Sequence, residues 1–171
     1  MGSEMCIRDS GVPVYVHAAD AARAKGGATP KAAKQTMKLL PMLGFAATML
    51  RRGGIRTTWL TEVVEMHDGE TLDLPGAPQI IGMPGHSEGS VAVFVPAVDA
   101  VFVGDALTTR NVLTGETGPA PAPFTDAPDQ AVASLRALLP TRATWVLPGH
   151  GAPYRGGVDA AVAAVEAAAR R

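Results

Sequence analysis

The chain has 171 residues, enough for one domain with a proper core. Sixteen acidic against fifteen basic side chains leave a formal charge of −1. That balance argues against nucleic-acid binding, which needs a basic face. No run of about eighteen apolar residues occurs, so no membrane span is indicated. Neither nucleic acid nor a membrane is expected as a partner.

Met5-Cys6-Ile7-Arg8-Asp9-Ser10 resembles the translated end of a transposon used in preparing sequencing libraries. Residues 1–10 are therefore expected to be a foreign or disordered segment and are set aside from fold reasoning. The sole cysteine, Cys6, falls inside that segment and carries no redox argument. No secretory signal is visible, which points to a cytoplasmic location.

From Gly11 on, the pattern is a sheet covered by helices. Val12–Val16 reads as a short strand and Ala18–Lys25 as a helix stopped by Gly26-Gly27. Lys31–Leu50 has apolar residues at spacings of three and four, which predicts a helix that Pro41 kinks or splits and Gly53-Gly54 closes. Its apolar stripe predicts packing onto the sheet or a partner, with a lid over an apolar pocket as the alternative. Thr57–Val64 and Glu70–Leu74 read as strands joined at Asp68-Gly69. Pro78–Met83 is a strand. Ser90–Val95 and Ala100–Val103 form a hairpin whose poor alternation suits cover on both faces. Gly115–Pro123 reads as loop. Thr125 or Asp126 is expected to cap a helix with Pro128 in its first turn, carrying Val132, Leu135, Leu138 and Leu139 on one face and ending at Pro140. Thr144–Leu147 is the last strand. Val158–Arg171 is an alanine-rich helix with Arg170 and Arg171 at the negative end of its dipole.

Three of these strands end in groups able to hold a metal. Ile80-Ile81-Gly82-Met83 runs into Pro84-Gly85-His86, Val101-Phe102-Val103 into Gly104-Asp105, and Trp145-Val146-Leu147 into Pro148-Gly149-His150-Gly151. Two imidazoles and a carboxylate are the usual ligands of zinc and similar divalent ions. The remaining histidines, His17 and His67, sit at a strand-to-helix junction and in a turn, where capping or solvent exposure is the expected role.

Pro84-Gly85-His86-Ser87-Glu88-Gly89-Ser90, Phe102-Val103-Gly104-Asp105 and Leu147-Pro148-Gly149-His150-Gly151, in this order and spacing, resemble the later motifs of the metallo-β-lactamase superfamily. The resemblance covers Gly11 to Arg171. It implies an α/β fold, the αββα sandwich, and a partial domain over residues 11–171. The family's first motif, H-x-H-x-D-H, does not occur, so the chain is expected to begin just after it.

The resemblance also implies chemistry. His86 would complete the first metal's imidazole set, Asp105 would bridge two metals and be the catalytic group, and His150 would bind the second. Two zinc ions are the expected cofactor, with iron or manganese as alternatives. A metal-bound hydroxide would then attack the carbonyl of a thioester, lactone, ester or β-lactam. Aspartate at the bridge, where some lactamases carry cysteine, leans toward the glyoxalase-II-like, thioesterase-like or lactonase-like branches and so implies a small-molecule substrate, although the chain stops one helix after His150, where glyoxalase II continues into a glutathione-binding domain. Ser87 and Ser90 are expected to hydrogen-bond the loop and orient His86. Glu88 is expected to be solvated, and Arg110 and Asn111 to touch substrate or lie on the surface. Three ligands for two metals leave each ion two protein donors at most, so this chain alone is expected to bind metal poorly and show little activity. The alternatives are a glyoxalase-like iron-dependent sulfur dioxygenase, and a non-catalytic binding module of the same fold.

Overall fold

The computed structural model describes residues 11–27, 38–51 and 59–170. The expectations for residues 1–10, for the start of the Lys31–Leu50 helix and for its Gly53-Gly54 stop lie outside the described residues.

The first described elements are β1 (Tyr15–His17), α1 (Ala18–Ala24), α2 (Leu39–Arg51) and β2 (Val64–Met66). Next come β3 (Gln79–Gly82), β4 (Val91–Val95), β5 (Ala100–Gly104), β6 (Thr108–Arg110) and β7 (Thr117–Ala120). The chain closes with α3 (Pro128–Ser134), a 3₁₀ segment Leu135–Thr141, β8 (Trp145–Pro148) and α4 (Gly157–Ala169).

The main sheet runs β3-β4-β5-β8. β4 is antiparallel to both neighbours, and β5 is parallel to β8. Hence β3, β5 and β8 all point the same way, and their carboxyl ends share one edge. Connection length explains the mixture. The four residues Pro96–Asp99 can only turn a hairpin, whereas β5 reaches β8 through a helix, as a parallel crossover must.

One face of this sheet holds the main core. Val101, Val103 and Val146 meet Leu135 and Leu138 and the helix α4. Val158, Ala161, Val162 and Val165 of α4 are buried at spacings of three and four, the signature of a helix laid on a sheet. The other face carries a smaller cluster of Met66, Leu72 and Ile80, packed with Tyr15, Val91 and Val93. The cover is incomplete there: Phe102, the partner of Val93, is 46% exposed. The expectation of strands covered on both faces therefore holds for β4 better than for β5.

Several expectations need correction. α2 is not packed onto the sheet: none of its residues is buried, and Leu40 and Leu43 are 80% and 53% exposed. It is held instead by Lys38, whose backbone N–H donates to Leu113 O at 3.0 Å and whose ammonium meets Glu116 at 3.0 Å. Phe45 also sits 6.2 Å from Phe124, ring to ring. Pro41 lies in the first turn of α2, where its missing N–H has no helical partner to lose; the expected kink or split also involves residues 31–37, which lie outside the described residues.

Thr57–Val64 is not a strand over its described part. Only Val64–Met66 is extended, and it pairs in parallel with β1. Glu70–Leu74 makes a single bridge, Thr71 to Gln79, before Leu74 N–H turns back on Leu72 O. The region read as loop contains β7, which pairs with β6; Gly118 and Pro119 gave it no strand propensity. Neither Thr125 nor Asp126 caps α3. Its N-cap is Ala127, with Pro128 following, because both candidate side chains are engaged elsewhere. The face from Leu135 to Leu139 is formed as a 3₁₀ segment that includes Pro140. Among the described residues no helix is long and apolar enough to cross a membrane.

Candidate metal centre

The shared strand edge brings the three candidate ligands together. The parallel register aligns Gly104 with Pro148, so Asp105 and His150 leave neighbouring strands at the same height. The Gly149 N–H donates to Gly104 O at 2.8 Å and locks that alignment. His86 arrives from β3 by a loop closed by Met83 N–H on Ser90 O at 2.7 Å. His86 Nε2 lies 3.7 Å and His150 Nε2 3.6 Å from the same oxygen, Oδ2 of Asp105. All three side chains are partly exposed, so the centre is open to solvent on one side.

The glycines beside the histidines are required by close approach. Gly85 has φ +137°, and a Cβ there would fall 2.2 Å from Ala131 N, at the start of α3. Gly151 has φ +102°, and a Cβ there would fall 2.2 Å from Thr109 Oγ1. Thr109 in turn holds the second loop, with its N–H on His150 O at 3.0 Å and its hydroxyl on Ala152 O at 2.6 Å.

Two further elements grip the His86 loop. Helix α1 does so through Asp20, whose Oδ2 accepts from Ser87 Oγ, while Ser90 Oγ accepts from Ser87 N–H at 2.9 Å. The turn before α3 does so through backbone donors, Asp126 N–H to His86 O at 3.2 Å and Ala127 N–H to Gly85 O at 2.8 Å. Arg23 of α1 ties the two together by pairing with Asp126 at 2.7 Å.

Ser87 and Ser90 hold the loop through hydrogen bonds that run to Asp20 and to each other. The side chain within reach of the His86 ring is Thr125, whose Oγ1 is 3.1 Å from Nδ1. Sequence reasoning spent Thr125 on a helix cap; its place two residues after the Pro121-Ala122-Pro123 run gave no signal of histidine contact. His17 caps α1, accepting from Ala19 N–H at 3.3 Å, and its ring lies edge-on to His67 at 6.3 Å. Asn111 Oδ1 accepts from Leu113 and Thr114 N–H and closes a turn. Arg110 and Glu88 are exposed.

The arrangement suits divalent cations in two respects. Oδ1 of Asp105 is buried and accepts no hydrogen bond from the protein. A desolvated carboxylate oxygen without a donor is costly unless a cation serves it. Second, two donors about 2.1 Å from one tetrahedral ion stand about 3.4 Å apart, close to the two separations measured here. Among the described residues no set of three or more His, Cys, Asp or Glu closes into a single cage. The geometry is that of two imidazoles flanking one carboxylate, which could serve an ion on each side. A cleft of ≈ 450 Å³ lined by Asp68, Ile81, Phe94 and Thr141 includes none of the three groups.

The comparisons with known proteins bear on the family and the fold. Residues 6–150 match the family described as the metallo-beta-lactamase superfamily. No curated protein matches the chain. Among solved structures, the archaeal superfamily protein ST1585 from Sulfolobus tokodaii superposes with a TM-score of 0.62 at 18% identity, covering 98% of this chain and 62% of that one. The family protein TTHA1429 from Thermus thermophilus gives 0.59 at 17% identity, covering 92% and 52%. TTHA1623, solved in a di-iron-bound form, gives 0.56 at 27% identity, covering 92% and 66%. The chain thus spans between half and two thirds of the length of these structures. With the family matched over most of the chain and the fold shared throughout, the protein belongs to the metallo-beta-lactamase superfamily.

Proposed function

We propose that this chain carries the carboxylate-bridged part of a two-metal hydrolytic centre acting on the carbonyl of a thioester, lactone, ester or β-lactam. The observation that carries the proposal is the approach of both His86 Nε2 and His150 Nε2 to Asp105 Oδ2, at 3.7 and 3.6 Å. His86 would hold one ion, His150 the other, and Asp105 both. When bound, such ions lower the pKa of water toward about 7 and polarise a carbonyl oxygen.

The chain's own residues hold and aim the donors. Asp105 supplies two oxygens from a strand end fixed by the Gly104–Gly149 hydrogen bond. The His86 loop is held against α1 and against the turn before α3, which supports its imidazole beside the carboxylate. The open side leaves room for a small substrate. Only two of the chain's four histidines belong to the centre, so each ion gains two protein donors at most. Weak metal binding and slow turnover by this chain alone follow, since stable sites use three or four.

The test is metal titration of the chelator-treated chain, followed by hydrolysis assays on one substrate of each class. The expected result is weak, zinc-dependent hydrolysis that chelator removes and Asp105→Asn abolishes. A rate unchanged by chelator overturns the proposal. Two tightly bound zinc ions per chain would overturn the expectation of weak binding. A second reading, an iron-dependent sulfur dioxygenase, draws support from the di-iron form of TTHA1623. One iron per chain with oxygen consumption on a sulfur substrate would replace hydrolysis by that reaction.

A further inference from the structure

Thr125 makes two hydrogen-bond contacts that its single hydroxyl hydrogen cannot serve alike. Its Oγ1 is 2.8 Å from Ala122 O and 3.1 Å from His86 Nδ1, and the residue is 4% exposed. A carbonyl oxygen only accepts, so the hydroxyl hydrogen is committed to Ala122. Toward His86 the hydroxyl offers a lone pair, and Nδ1 must bring the hydrogen. In a neutral imidazole a hydrogen on Nδ1 leaves Nε2 with its lone pair free. Nε2 is the atom that faces Asp105.

We infer that Thr125 is a positioning residue that selects the Nδ1–H tautomer of His86, so that Nε2 is presented as a metal donor before any ion arrives. The inference rests on the metal-centre reading for its purpose, but the tautomer can be observed without it. Three features favour this role over ordinary turn chemistry. The same turn holds the loop backbone through Asp126 N–H on His86 O, so ring and main chain are gripped from one side. Phe124, one residue earlier, sits at φ +60°, where a bulky side chain is strained and persists only when its surroundings enforce it. Third, an Nε2–H at 3.7 Å from Asp105 Oδ2 would make no proper hydrogen bond. The fixed tautomer therefore gives up no hydrogen bond on that side.

The test uses the metal-free full chain labelled with ¹⁵N, with the histidine ring nitrogens read by long-range proton–nitrogen correlation at pH 8. The expected spectrum gives His86 a pyrrole-like Nδ1 and a pyridine-like Nε2. Thr125→Val, which keeps the shape and removes the acceptor, should shift the ring to the Nε2–H form or to averaged signals. Thr125→Ser should restore the original pattern. Zinc affinity should fall 10- to 100-fold in the valine variant and recover in the serine variant, the usual effect of losing a partner to a ligating imidazole. An Nε2–H, averaged or doubly protonated His86 in the unaltered chain overturns the inference, as does a valine variant with an unchanged tautomer. The spectrum of the unaltered chain decides the matter even if the valine variant fails to fold. Because that readout contains no hydrolysis, failure of the hydrolase reading leaves it intact.

Discussion

Gly149 lies against the carboxylate of Asp105: a Cβ added there would fall 2.7 Å from Oδ1 and 3.4 Å from Gly104 O. The glycine before His150 is therefore a condition for the carboxylate's position. Gly149→Ala should push Asp105 aside and remove most zinc binding, while costing about 1–3 kcal/mol of stability, the usual range for overpacking. Gly85→Ala should destabilise more, because its new methyl meets the backbone of Ala131 and its φ is +137°. Urea unfolding of both variants without metal ranks them. Equal costs would mean that the contact with backbone is no harder to relieve than the contact with the carboxylate.

Asp105→Asn separates the metal from the fold. Oδ1 is buried without a hydrogen-bond donor in the protein, so its charge opposes folding when no cation is present. In chelator, Asp105→Asn should be at least as stable as the parent, in keeping with the trade between site and stability. Added zinc should raise the parent's melting temperature through ligand linkage and leave the variant unmoved. Thermal melts with and without zinc measure both halves. A variant clearly less stable in chelator would show that the carboxylate works mainly as a structural group.

Legibility in the sequence followed the range of the interactions. The three strand ends were readable because each couples a local apolar run to a Pro/Gly turn, and parallel pairing then delivered Asp105 and His150 to one edge. Thr125 was not readable, because its contact with His86 spans 39 residues and local grammar assigned it to the nearest helix start. The same holds for Asp20, whose contact with Ser87 spans 67. The stripe of α2 was read as core because period alone reports amphipathicity, and it does not say what, if anything, covers the apolar face. β7 was missed because Gly118 and Pro119 stand at its centre and hide the pairing that Thr117 and Ala120 make with β6.

The contact between α1 and the His86 loop predicts strong coupling. Ser87 Oγ donates to Asp20 Oδ2 and is itself nearly buried. Gly89 lies so near that a Cβ would fall 2.7 Å from Asp20 Cγ. Asp20→Ala leaves that hydroxyl only the neutral Ser90 Oγ, at 2.9 Å, in place of a carboxylate, and Ser87→Ala leaves the carboxylate without its donor. Each should cost about 1–3 kcal/mol. The double variant should cost about as much as one single, since the second change removes a group already unpaired. Denaturant unfolding of the four proteins gives the cycle, and additive costs would show that the contact contributes nothing of its own.

Asp99 offers a test by pH of the strand pair that carries two of the three ligands. It stands at the entry of β5 and receives the N–H of Thr144, at the entry of β8, on Oδ1 at 3.1 Å. The Thr144 side chain first, and its backbone N–H second, hold the Asp99 carboxyl below its ordinary value. A carboxylate whose pKa is depressed by folding contributes stability above its unfolded value, about 3.9. That contribution disappears as pH falls through the folded value. Asp99→Asn keeps an oxygen for Thr144 and tolerates the left-handed backbone at φ +50°, so it removes little except the charge. The parent should be the more stable of the two at pH 6, and the difference should shrink below about pH 4 and vanish near the folded pKa. Unfolding by urea across that range reads the difference directly. A gap that stays constant down to about pH 2, below any ordinary carboxylate value, would show that charge plays no part in joining the two strand entries.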